Sequence, residues 1–201
     1  VALSAAPYQD QLQKAAPVFY LNGSDLPGEK VGGIDLVNSG PLAPEFPEFG
    51  AGENPAIRLK SPSYLKISDE GEGSPFDFDQ GDAITVEAWV NLESFDQHAS
   101  ILGKGRTNNA GFPADNQNWA FRLRSRGGEA CVNFLFRSRD EGEIKGDWHR
   151  WTSSSGFSPG SGWHHVAVTY EFGKPDEIRG YLDGELLKGN WDMGGKTTQP
   201  P

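Results

Sequence analysis

Cysteine and methionine are almost missing from this sequence, with one of each in 201 residues. Cys131 has no second thiol to pair with, so an intrachain disulfide scaffold is excluded, although this alone does not assign a compartment. No run approaches the ~20 consecutive apolar residues of a membrane-spanning helix, and membrane insertion is not expected. Positive charge is also scarce. Lys and Arg total 18 against 28 Asp and Glu, a formal net charge of −10 at pH 7. A nucleic-acid binder needs a basic patch, so nucleic acid is excluded as a partner, and an anionic membrane surface is disfavoured. A small local group of arginines at 122, 124, 126, 137 and 139 is the main departure. The sequence opens at Val1 without an initiator methionine or an apolar signal run. A mature piece of a larger protein is therefore expected.

Glycine (26) and proline (14) are abundant and aperiodic, which excludes a helical bundle and a collagen-like repeat and leaves a turn-rich β fold. Residues 1–16 read as a polar lead with a helical turn or two between Tyr8 and Ala16. Residues 17–60 are rich in Gly and Pro, with short apolar pieces at Val18–Leu21 and Ile34–Val37. Pro41 to Pro55 carries four prolines and should be irregular. Tyr64–Ser68 reads as a strand, followed by an acidic loop over Asp69–Asp82.

Beyond this loop the pattern alternates with period two. Ile84, Val86, Ala88 and Val90 share one face of a strand; Thr85, Glu87 and Trp89 share the other. The same alternation runs through 119–125, 130–136 and 164–170. It is the signature of half-buried strands. Arg126-Gly127-Gly128-Glu129 and Asp183-Gly184 supply hairpin turns, because Gly and Asp tolerate positive φ. The expected fold is all-β: an antiparallel two-sheet β-sandwich spanning residues 17–201, without a second domain.

Four segments carry a resemblance. Ala83-Ile-Thr-Val-Glu-Ala-Trp-Val90, Ser100-Ile-Leu-Gly-Lys-Gly105, Gly162-Trp-His-His-Val-Ala-Val-Thr-Tyr170 and Tyr181-Leu-Asp-Gly-Glu185 follow one another in that order. Together they resemble the concanavalin A-like lectin/glucanase superfamily, in its bacterial laminin-G-like branch, over roughly residues 60–190. The resemblance implies a jelly-roll sandwich in a secreted, extracellular or periplasmic protein. The tail from Gly189 to Gly195 is similar to versions of this domain attached to other domains of a large parent chain. The family usually continues with two further strands, whereas this sequence stops at Pro200-Pro201, so the expectation is either a truncated domain or missing strands supplied otherwise. One fold hosts many functions, and the resemblance does not name a ligand.

A sandwich glucanase carries paired carboxylates on one strand. Glu87 is followed two residues on by Trp89, and Asp183 and Glu185 sit at a hairpin, so an enzyme is not expected. His164 and His165 are strand neighbours, which point to opposite faces and do not share a metal. Asp77, Asp79 and Asp82 place three carboxylates in six residues. They are the residues a calcium ion would take, against the alternative of a solvated turn. Trp148, His149, Arg150 and Trp151 read as a bulky, Gly/Ser-flanked loop and form the expected ligand set. An indole face suits a sugar ring and Arg150 a hydroxyl or carboxylate, although such aromatics also fill cores. The sequon Asn22-Gly23-Ser24 is read as a turn. Two functions stand open: an accessory binding domain for a polysaccharide or a cell-surface protein, and a structural spacer with no small ligand.

Overall fold

A computed structural model of the chain describes residues 8–105, 117–138 and 148–195. The chain divides into two compact units, Val1–Pro75 and Phe76–Pro201. The first unit contains helix α1 (Tyr8–Lys14) and strands β1 (Glu29–Val31), β2 (Ile34–Val37), β3 (Ala56–Leu59) and β4 (Tyr64–Lys66). Strand β1 pairs antiparallel with β4, and β2 with β3. Helix α1 fills the stretch where a helical turn was expected, with the Tyr8 ring 4.9 Å from Phe49. Val18–Leu21 forms no strand. The proline-rich stretch stays irregular apart from a 3₁₀ turn at Pro47–Phe49, because proline lacks the N–H a ladder needs. The amide of Asn54 ties it down by donating to the Pro41 carbonyl at 2.8 Å. Asn22 accepts the Ser24 N–H at 3.0 Å, so the sequon is an Asx turn.

Among its described residues the second unit holds nine strands: β5 (Ala83–Asn91), β6 (His98–Lys104), β7 (Trp119–Arg126), β8 (Glu129–Arg137), β9 (Trp148–Phe157), β10 (Trp163–Glu171), β11 (Arg179–Leu182), β12 (Glu185–Leu187) and β13 (Gly189–Met193). They form two antiparallel sheets, one ordered β12-β11-β10-β5 and the other β13-β9-β8-β7-β6. This is the expected all-β sandwich. The hairpin turns lie where Gly and Asp allow them. Gly127 and Gly128 have φ of 62° and 88° between β7 and β8, and Asp183 and Gly184 have φ of 50° and 82° between β11 and β12. Positive φ at both central positions is the type I′ requirement.

Alternation dictates the core. Ile84 and Val86 of β5, Phe121 and Leu123 of β7, Val132, Phe134 and Phe136 of β8, and Val166, Val168 and Tyr170 of β10 are all buried in one cluster between the sheets. Each such side chain contributes about 1.5–3 kcal/mol when withdrawn from water. Phe172 extends the cluster beyond β10, with its ring 5.5 Å from Phe136 and edge-on to it.

One expectation is corrected. The segment beginning at Trp148 is not a loop but the ten-residue strand β9, paired with β8 on one side and β13 on the other. Its serines and glycine disguise it. Gly156 is needed at a close approach, since a Cβ there would overlap the Ala130 carbonyl. A register shift between Cys131 and Asn133 marks the same place.

Candidate functional site

Because β9 is a strand, its side chains divide between two faces. Trp151 is buried in the core, and His149 is buried against Phe136, with ring centroids 4.8 Å apart. The backbone N–H of Gly195 donates to His149 Nδ1 at 2.8 Å, so Nε2 is left to donate to Ser138 Oγ at 3.1 Å. Trp148 and Arg150 stand on the opposite, outer face of the five-stranded sheet. The expected quartet is thus split: two members line a surface groove and two hold up the sheet beneath it.

The groove has a volume of about 620 Å³ and its lining includes Asp96 and His98, Arg122 and Arg124, Leu135, Trp148 and Arg150, and Met193. Strands β6 to β9 and β13 each contribute. Arg122 and Arg124 are two apart on β7 and so project to the same side. The guanidinium of Arg137 lies 5.7 Å from the centre of the Trp148 ring, within cation–π range.

A polar network underlies this face. Arg122 Nε donates to Asn133 Oδ1, directly across the β7–β8 register. Asn133, fully buried, donates through Nδ2 to the Trp151 carbonyl at 2.8 Å and to Thr152 Oγ1 at 2.9 Å. Thr152 Oγ1 donates to Asp192 Oδ2 at 3.1 Å. Asp192 also receives Arg124 and Arg150. Arg124 therefore reaches from β7 across β8 and β9 to β13, strands spaced by ~4.8 Å in a sheet. Charge-assisted bonds of this kind are the stronger ones and hold both guanidinium groups in place. Sequence reasoning reached Arg150 but missed Asp192, Arg124, Arg122 and Asn133. Their only sequence signal was the shared parity of Arg122 and Arg124 within the small basic group. Arg139 of that group lies outside the described residues.

The acidic loop does not gather its carboxylates. Asp77 pairs with Lys104, while Asp82 Oδ2 accepts the Asp79 N–H at 2.7 Å. Among the described residues no group of three or more His, Cys, Asp or Glu side chains is arranged to hold a metal.

On the other side of this unit, Ser161 Oγ lies 2.8 Å from His164 Nε2, and His164 Nδ1 lies 2.8 Å from Asp183 Oδ2. The order of groups is that of a nucleophilic triad, but the Ser161 hydroxyl has a second acceptor beside His164. A catalytic serine gives its proton to the histidine, whereas Ser161 donates to the Ser158 carbonyl. The chain of bonds fastens the turn before β10 to the β11–β12 hairpin, and Asp183 Oδ1 adds a bond from the His165 N–H at 2.9 Å. His164 stacks on Phe157 at 4.3 Å, while His165 lies 5.4 Å from Trp89 and 3.6 Å from Glu87.

No curated protein and no solved structure is similar enough to the chain to count as a match. A family model does match, that of a laminin-G-like family in the concanavalin A-like lectin/glucanases superfamily, over residues 60–200. That span contains every strand of the two-sheet sandwich. The chain belongs to the concanavalin A-like lectin/glucanase superfamily, as a laminin-G-like domain.

Proposed function

We propose that this is a non-catalytic accessory binding domain of a larger secreted or cell-surface bacterial protein, and that it holds a polysaccharide on the outer face of its five-stranded sheet. Laminin-G-like domains bind carbohydrate or protein, are generally non-catalytic and are typically extracellular. No helix among the described residues is long and apolar enough to cross a membrane. The observation that carries the reading is the groove, where an indole and arginine side chains converge on one sheet face. A sugar ring presents weakly positive C–H groups to an indole face and hydroxyls to guanidinium donors. Asp192 supports a binding role over glycoside cleavage, because its oxygens are taken by Arg124, Arg150 and Thr152. In this reading Trp148 and Arg150 contact the ligand, and His149 and Trp151 support them from below.

Affinity electrophoresis through gels containing a panel of soluble polysaccharides tests the proposal. Retardation of the wild type by at least one polymer, lost in Trp148→Ala at unchanged melting temperature, supports it. A domain that no polymer retards is a spacer or a protein-binding module instead.

A further inference from the structure

The groove is an island of positive charge on an acidic domain. The chain carries a net charge of −10, yet Arg122, Arg124 and Arg150 line one groove on one sheet face. Asp192 does not cancel them. Its single carboxylate is shared between Arg124 and Arg150, and Asp96 also lines the groove, so three arginines stand against two carboxylates and one positive charge remains. Arg124 gives Asp192 an Nη1 donor and Arg150 its Nε. A guanidinium has five N–H donors, so each keeps others for a second anion. The shared carboxylate also fixes the two forks in advance, which lowers the entropy cost of ordering them on a ligand.

We infer that the ligand of this face is an anionic polysaccharide, whose carboxylate or sulfate groups are received by Arg124 and Arg150 while a sugar ring lies against Trp148. This rests on the polysaccharide-binding reading above and narrows it to one class. An acidic peptide is the less favoured occupant. The groove floor is a sheet face, where the β7–β8 and β8–β9 ladders already use the backbone groups. A peptide main chain would find no ladder to extend there, since strand addition needs a sheet edge. Met193, exposed and paired with Arg150 across the β9–β13 register, offers apolar contact that the C–H faces of a sugar ring can use.

The test uses the full chain with polygalacturonate, dextran sulfate, neutral dextran and poly-glutamate in affinity electrophoresis and titration calorimetry. The inference predicts binding to polygalacturonate or dextran sulfate, with the better of the two identifying carboxylate or sulfate as the natural group. It predicts none to neutral dextran and weaker binding to poly-glutamate. An Arg124→Gln, Arg150→Gln double variant should bind about tenfold or more weakly, as expected when charge-assisted contacts are lost. Where that variant melts early, the wild type decides: binding should fall steeply between about 50 and about 300 mM salt, as screening of partly exposed charges requires. Binding of neutral and acidic polymers alike, insensitive to salt but lost in Trp148→Ala, overturns the anionic class and leaves the polysaccharide reading standing. Equal binding of poly-glutamate and polygalacturonate overturns the polysaccharide in favour of an acidic protein segment. Binding to none of the polymers overturns both.

Discussion

Trp148 and Trp151 lie three residues apart on strand β9 and face opposite sides of the sheet, one towards the groove and one into the core. The two indoles therefore have separable jobs. Trp151→Ala should cost about 3–5 kcal/mol, the usual loss for truncating a buried aromatic. Trp148→Ala should cost no more than about 1 kcal/mol, as for side chains outside the core. Urea denaturation of the two single variants checks this. Equal destabilisation by both would contradict the assignment of faces.

The Trp151 ring is seated between two glycines. A Cβ at Gly180 would come within 2.5 Å of the ring, and one at Gly189 would overlap it. Neither glycine is there for a positive φ, so the constraint is space. Gly180→Ala and Gly189→Ala should each destabilise the domain by about 1–3 kcal/mol, the range for overpacking. Combining either with Trp151→Leu should recover part of the loss. Full additivity in this double-mutant cycle would show that the methyl does not meet the indole.

Much of this arrangement was legible in the sequence, and the exceptions have physical causes. Strands β5, β7, β8 and β10 alternate β-branched or aromatic residues with others, and Ile84, Val86, Phe121, Val132, Phe134, Val166 and Val168 are all buried as that alternation requires. Strand β9 hid because Ser153-Ser154-Ser155-Gly156 is turn-type composition held in a ladder by its neighbours, a case of tertiary context overriding propensity. Its alternation was present all the same, with Trp148, Arg150 and Thr152 against His149 and Trp151. Asp192 was unreadable. Its role depends on Arg124, 68 positions away in sequence, and no local pattern encodes a contact across two intervening strands.

The buried strand set yields a direct check on the core. Val168 has no exposed surface, so Val168→Asp would bury a charge without a partner, a cost the domain is not expected to survive. The variant should fail to melt cooperatively by calorimetry. A soluble Val168→Asp protein with a sharp transition near that of the wild type would count against the sandwich core.

Tyr170 gives the fold an alkaline limit. Its ring packs among Phe134, Phe136, Phe172 and Trp191, and burial pushes its hydroxyl from 10.0 up to about 12. Between these values the unfolded chain releases the phenolic proton and the folded chain keeps it. Stability contributed by the neutral phenol is therefore intact below pH 10 and is lost as pH rises towards 12, by as much as about 2–3 kcal/mol. In Tyr170→Phe this component of the alkaline fall should be missing from denaturation curves recorded at pH 9 to 12. A variant with the same pH dependence as the wild type would assign the fall to other groups.

The central claim is that ligand is held on the outer face of the five-stranded sheet. The most direct test is an NMR titration of the labelled chain with polygalacturonate or dextran sulfate, following the indole N–H of all six tryptophans and the arginine Nε–H groups. Trp148, Arg124 and Arg150 should shift progressively, while Trp89, on the outer face of the other sheet, and core Trp151 should move little. Shifts concentrated at Trp89 and the neighbouring His165, with Trp148 and Arg150 unmoved, would place the binding face on the opposite sheet and contradict the account.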